Sequence, residues 1–419
     1  MGSYKYRSIT GLLTDMFKYF PVVVVSGARQ VGKSTLLGEV FESQADHVIF
    51  DPVVDIENAR KDPDLFLQNR KTPLILDEIQ YVPQLASAIK RRLDKSRSNG
   101  LYLVTGSQQW EVMKSLSESL AGRVAFLDLH GFSSTEICEE RVHKHWIHHW
   151  LDNPNKCIER IKENGVHTPQ WPHTLYEHIW RGWLPETAFL PERMIPVFYQ
   201  SYVSTYIDRD IRFMADVKDL DQFHRFFRLA SALSAQKVNG SQLGREIGVT
   251  PQTVQRWLNM LKASFQWFEI PAWSTNSTKK ISKKPKGYLT DTGLISQMQQ
   301  MATPISMGSN PLWGAAFETA VVNEIRKQLA TMASPPSLSH WRCHSGAEVD
   351  LILERDNWLF PIEIKSKSHP TRNDTRGLQR FRDHIKNRQI APGVVVAPAD
   401  SFYSLTGNDY CMPWDAHIL

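Results

Sequence analysis

Residues 22–35 read VVVVSGARQVGKST, and the fold turns on this stretch. Val22 to Val25 are four β-branched residues in a row, which suits a strand buried on both faces of a parallel sheet. Gly27-x-x-x-x-Gly32-Lys33-Ser34 follows. Its glycines let the backbone turn tightly, so that N–H groups converge on an anion. Thr35 to Val40 reads as the start of a helix whose N-terminal dipole end faces that anion. The loop Gly27, Ala28, Arg29, Gln30, Val31, Gly32, Lys33, Ser34 and Thr35 is therefore expected to cradle the phosphates of ATP. Lys33 would reach the β- and γ-phosphates, and the Ser34 hydroxyl would bind Mg²⁺. A glycine-rich turn without a ligand is the plainer alternative. The strand–loop–helix context favours the phosphate loop.

With 419 residues the chain has room for two to four domains. A hydrophobic content of 42% and a charged content of 22% are those of a soluble globular protein. The net charge of +5 is mildly basic and becomes informative only where it clusters. Cys138, Cys157, Cys343 and Cys411 are scattered without CxxC spacing, which argues against a disulfide framework and points to a reducing cytoplasm. No apolar run is long enough to span a bilayer, so no membrane partner is expected.

Outward from the loop, residues 4–20 read as a leading helix, 47–51 as a second strand and 55–69 as one helix. Pro73 to Leu76 is an apolar strand ending in Asp77-Glu78. Asp77 would hold the Mg²⁺, and Glu78 would orient and deprotonate the attacking water. Leu101 to Ser107 is a third strand; Thr105 or Ser107 at its end would sense the γ-phosphate, or else simply end the strand. Arg123, just before strand Val124–Leu129, is a candidate arginine finger, with a local surface ion pair as the alternative.

GARQVGKST, LDEIQ, TGS and SLAGR, in that order, resemble the AAA+ ATPases of a prokaryotic group with an uncharacterised C-terminal region. The likeness continues through RGWLPE (181–186), DRDIR (208–212) and KGYLTDTGL (286–294) and covers nearly the whole chain. It implies ATP hydrolysis with Mg²⁺. If Arg123 acts in trans, it also implies a homo-oligomer, of which a hexameric ring is one form.

The stretch 138–170 departs from that pattern. HKHWIHHW and Cys138 raise a metal reading through Cys138, His143, His145, His148 and His149, but the spacing is looser than in zinc sites, and a family-variable insertion is favoured. Residues 176–235 read as a helical lid; Arg209 and Arg212 lie within it. Residues 238–290 have the order helix, glycine turn, helix, then two strands around a lysine-rich loop, which describes a winged helix-turn-helix. Gln252, Thr253, Gln255 and Arg256 would then face DNA bases. Lys279, Lys280, Lys283, Lys284 and Lys286 would contact phosphate. The alternative is a winged helix used for protein contacts.

Asp350, twelve intervening residues, then Glu363-x-Lys365 is the PD-(D/E)xK nuclease pattern, and Glu318 fits the acidic position on that fold's first helix. Glu318, Asp350 and Glu363 would hold Mg²⁺, with Lys365 assisting hydrolysis. Val349 stands where the pattern has proline.

The expected fold class is α/β. It comprises an AAA+ P-loop core (1–135), a helical lid with a His/Trp-rich insertion (136–235), a winged helix (236–296), a linker (297–312) and a PD-(D/E)xK-like domain (313–419). The expected function is a Mg²⁺-dependent ATPase acting on duplex or branched DNA as an oligomeric motor or switch. An ATP-gated DNA nuclease and a nucleotide-switched regulator of a protein partner are the alternatives.

Overall fold

The computed structural model describes residues 4–50, 56–96, 98–106, 120–142, 144–208, 211, 220–274, 284–343 and 346–418. Five parallel strands form the first sheet: β1 (Val22–Ser26), β2 (Asp46–Ile49), β3 (Leu74–Asp77), β4 (Tyr102–Gly106) and β5 (Val124–Asp128), in the order β2-β3-β4-β1-β5. The valine strand is buried along its whole length. Strand alternation sends Val23 and Val25 to the face covered by Leu13, Leu36 and Phe41, and Val22 and Val24 to the face covered by Leu85 and Ile89. Each such valine contributes about 1.5–3 kcal/mol through burial. β4 lies between the strand that feeds the glycine loop and the strand that ends in Asp77, so the loop and Asp77 face each other across its tip.

The segment 55–69, expected as one helix, is broken in two where it is described. Glu57–Lys61 and Pro63–Gln68 are separate, because Pro63 has no N–H to continue the first helix and Asp62 caps the second by accepting from the Leu65 N–H.

Helices Trp146–Asp152, Pro154–Asn164, Leu175–Arg181 and Ile195–Tyr202 follow, and then Leu220–Ala232. The next unit holds β6 (Gln236–Lys237), helices Gly240–Ile247 and Pro251–Ala263, β7 (Trp267–Ile270) and β8 (Lys286–Leu289). Its antiparallel sheet has the order β6-β8-β7. Two of the motifs meet at Asp291. This buried carboxylate accepts from Trp183 N (2.7 Å), Tyr199 Oη (2.6 Å) and Gly293 N (2.8 Å). A Cβ at Gly182 or at Gly293 would lie 2.2 Å from the Tyr199 hydroxyl oxygen, so RGW and DTG are bound to each other by close packing.

Residues 297–312, expected as a linker, are instead packed structure. Trp180 Nε1 donates to Met301 O at 2.6 Å, and Met307 in helix Pro304–Gly308 is fully buried. Polar composition misled here because two methionines, Met301 and Met307, are enough to anchor the segment, although Ile305 faces solvent.

The last sheet is mixed: β9 (Ser337–Arg342), β10 (Glu348–Arg355), β11 (Trp358–Ile364), β12 (Gln389–Ile390), β13 (Gly393–Ala397), β14 (Tyr403–Ser404) and β15 (Asp409–Pro413). Helix Trp313–Ala330, which precedes this sheet, also reaches the other units. Asn323 Nδ2 donates to Leu289 O, the Ser134 hydroxyl to Glu324, and Lys327 Nζ to Phe132 O. The helix therefore touches the segment that follows β5 and the middle unit through buried polar contacts, and one apolar core runs through all three units.

His145 and His178 are held by burial at about 3, and His340 and His417 at about 4, so these four are neutral in the fold. An unfolded histidine titrates near 6.5, so below that pH the unfolded chain binds more protons. Stability is fully present above pH 6.5 and falls as the pH drops toward about 4. The expected cost at pH 5 is about 2 kcal/mol per histidine, which melting curves at pH 7.5 and 5 would read as a clear drop in Tm.

Candidate functional site

The glycine loop follows β1 directly. Gly32 sits at φ +91°, and a Cβ on Gly27 would lie 2.2 Å from Leu129 O, so both glycines are required by the turn itself. Helix Lys33–Phe41 starts from the loop and aims its N-terminus at it. Lys33 is buried, and its Nζ donates to Gly27 O (3.0 Å) and Ala28 O (2.9 Å). Ser34 is half-buried and Thr35 is exposed.

Asp77 is buried at the tip of β3, where the Thr105 hydroxyl donates to it and His47 Nε2 lies 3.5 Å away. Glu78 takes a left-handed conformation (φ +58°), its N–H donates to Thr105 Oγ1 at 3.0 Å, and its carboxylate accepts from Gln80. Thr105 thus clasps the acidic pair. Ser107 lies outside the described residues. Asp77 at the tip of β3 and Ser34 in the first turn of the helix after the loop offer a carboxylate and a hydroxyl, the hard oxygen donors that Mg²⁺ takes, so the donor chemistry fits the ion.

Three supports of the loop had no sequence signal. Arg7 is buried, and its guanidinium donates to Glu136 (3.0 Å), Val31 O (2.8 Å) and His130 O (2.6 Å), strapping the N-terminal segment to the loop. Tyr202 Oη donates to Arg29 O at 3.2 Å, and Gln30 Nε2 donates to Tyr206 Oη at 2.9 Å. Gln266 Nε2 in turn donates to Tyr202 Oη at 3.2 Å. A cavity of about 410 Å³ beside the loop is lined by Ala28, Val31, Leu129, Tyr202, Phe268 and Arg326.

Arg123 does not reach this loop. Register pairs Val22 with Val124 and Ser26 with Asp128, so Arg123 lies at the opposite end of the sheet, about 17 Å along the strand from the loop end, where it forms an ion pair with Asp94. Arg209 and Arg212 lie outside the described residues.

In the middle unit, Gln252, Gln255 and Arg256 are exposed on helix Pro251–Ala263 and Thr253 is half-buried, while Val254, Trp257, Leu258 and Leu261 face the core. Thr250 caps this helix by accepting from the Thr253 N–H at 3.2 Å. Lys284 is exposed, and Lys279, Lys280 and Lys283 lie outside the described residues. Lys286 contradicts the phosphate-contact expectation. It is buried, and its ammonium lies 3.0 Å from Glu318, 2.7 Å from Glu348 and 2.9 Å from Asp350. Burial alone would pull this lysine down, but Asp350 and Glu318 outweigh it and hold it well above its ordinary value.

The PD-(D/E)xK residues do come together. Leu351 pairs with Ile362, which places Asp350 beside Glu363, and Ile364 N donates to Asp350 at 2.9 Å. Lys365 pairs with Glu363 at 2.5 Å. Burial and the nearby Asp350 raise the Glu363 carboxyl well above the ordinary range. Glu348 and Tyr288, whose hydroxyl donates to Glu318 at 2.8 Å, complete the cluster and were missed in the sequence. The cluster does not fit the expected Mg²⁺, because Lys286 takes the oxygens that would bind it. Among the described residues no group of three or more His, Cys, Asp or Glu side chains is placed to hold a metal ion. The histidine-rich stretch agrees: His145 and His148 are buried, His148 Nε2 makes a hydrogen bond to Gln328 O, and His143 lies outside the described residues. No described helix is long and apolar enough to cross a membrane.

Residues 19–138 match a family model described as an AAA domain. The segment that carries the glycine loop and Asp77 is thus similar to AAA domains. Beyond it, residues 172–304 and 313–416 match two models described as domains of unknown function, DUF8612 and DUF4143. Uncharacterized proteins of Mycobacterium tuberculosis and Mycobacterium bovis are each 26% identical over 396 residues, covering 94% of this chain and 80% of theirs. Among solved structures, a Walker-type ATPase of Pyrococcus abyssi aligns at 14% identity and a TM-score of 0.38, covering 70% of this chain and 94% of its own. The RuvB Holliday junction branch migration motor of Thermotoga maritima aligns at 13% and a TM-score of 0.29, covering 65% and 93%.

Proposed function

We propose that the chain is a Mg²⁺-dependent ATPase that binds DNA and couples nucleotide state to that binding as an oligomeric switch or motor. In this reading Lys33 and the loop amides hold the triphosphate, Ser34 and Asp77 hold Mg²⁺, and Glu78 takes the proton of the attacking water. Bound Mg²⁺ would neutralise charge on the transferring phosphoryl group. The cavity beside Ala28 and Val31 has the size of a small-ligand pocket and would receive the base.

The observation that carries the coupling is the hydrogen-bonded chain from Arg29 O through Tyr202 to Gln266, which ties the phosphate loop to the base of β7. Residues 220–289 have the element order of a winged helix, and the exposed face of Pro251–Ala263 carries Gln252, Gln255 and Arg256 toward solvent as a DNA-reading helix would. Arg123 enters this reading only as a group supplied to a neighbouring subunit, so ATP-dependent assembly belongs to the proposal.

The test is the ATPase rate with and without duplex, single-stranded and branched DNA, with particle size in ATP. Duplex or branched DNA is expected to raise the rate. Arg256→Gln should weaken DNA binding and flatten the log-affinity against log-salt slope by about one. A rate indifferent to DNA, with a salt slope that Arg256→Gln leaves unchanged, would favour a regulator that holds a protein partner.

A further inference from the structure

The C-terminal acidic cluster already holds a cation, and the middle unit supplies it. Lys286 opens β8, and its side chain is 5% exposed. Helix Trp313–Ala330 contributes Glu318, and β10 contributes Glu348 and Asp350; one oxygen from each lies 2.7–3.0 Å from the Lys286 ammonium. Tyr288, on the same face of β8, donates to the Glu318 oxygen that Lys286 also reaches. The other oxygen of Asp350 is held by Ile364 N, and that of Glu348 by Arg342 at 3.2 Å. Glu363 Oε2 is buried and has no hydrogen-bond partner, although its other oxygen is paired with Lys365.

Carboxylates on a helix and on the edge of two neighbouring strands are the donor set that a hard divalent cation takes. An ammonium within hydrogen-bond distance of all three uses those oxygens and places a positive charge where the ion would sit. We propose that Lys286 is the resident cation of this cluster, so that docking of β8 both joins the middle unit to the C-terminal domain and shuts the cluster to divalent metal. The cluster is then a divalent-cation site only when the lysine is withdrawn. Neighbouring contacts keep β8 in place: Trp273 N donates to His340 O at 2.6 Å, and His340 N donates to Pro271 O at 2.9 Å, which fastens the strand after β7 to β9. This inference does not depend on the ATP reading.

The probe is Mn²⁺ on the full chain without nucleotide. Wild type is expected to show no change in melting temperature with millimolar Mn²⁺ that Asp350→Asn abolishes. Lys286→Met should melt lower than wild type and recover several degrees on adding Mn²⁺, and Asp350→Asn in that background should remove the recovery. Lys286→Arg, which keeps the charge, should stay unresponsive. Mn²⁺ protection of wild type that needs Asp350, or a folded Lys286→Met without any Mn²⁺ response, would overturn the proposal. If Lys286→Met does not fold, Mn²⁺-soaked wild-type crystals decide. No anomalous peak between Glu318 and Asp350 supports the lysine as resident cation, and a peak there refutes it.

Discussion

Glu78→Gln is expected to lower ATP turnover by about two to four orders of magnitude while leaving Mg²⁺–ATP binding nearly unchanged. The amide has the size of the carboxylate but cannot take a proton from water. Little else should move: the Glu78 N–H, held by Thr105 Oγ1 at 3.0 Å, is a main-chain group and survives the change. The Gln80 amide now donates to the carboxylate, so Gln80 also restrains the base. Steady-state phosphate release beside nucleotide titration checks this. Wild-type turnover in the variant would remove Glu78 from the chemistry.

Lys33→Ala should cost both binding and turnover. Lys33 Nζ lies inside the loop, and removing a single donor to the developing phosphoryl charge costs about 10²–10³ in rate. The same ammonium donates to Gly27 O and Ala28 O, so its loss also frees two loop carbonyls. That structural share is expected at about 1–3 kcal/mol and would show as a lower Tm. Measuring the melt next to the rate separates a collapsed loop from a lost phosphate contact.

What the sequence disclosed was local. The valine run, the glycine spacing and the Asp77-Glu78 tip sit where hydrophobic pattern and turn chemistry put them, because strand burial and glycine geometry are decided within a few residues. The order GARQVGKST, LDEIQ, TGS was enough to place three strands, although not the insertion of β4 between the other two. What failed was long-range. Arg7 and Glu136 lie far apart in the chain; Ser133-x-x-Glu136 is a capping-box pattern, but nothing local in it points to Arg7. Lys286 closes a run of lysines and shares their composition, yet its alternation with Tyr288 along β8 is the sign that it faces inward. RGWLPE and KGYLTDTGL stand out as motifs, but their joint role around Asp291 exists only once the helices pack. Residues 297–312 have the composition of a linker because their apolar side chains are few, yet Met301 and Met307 are buried and hold the segment down.

The central claim is that the loop after β1 grips a triphosphate with its magnesium. Equilibrium titration of the full chain with a non-hydrolysable ATP analogue and Mg²⁺, wild type beside Lys33→Ala, tests it most directly. Saturable binding to wild type that needs Mg²⁺ for full strength and falls at least about tenfold in the variant, a difference of about 1.4 kcal/mol, is the predicted result. Equal affinity in the two proteins, or no binding to folded wild type, would contradict it.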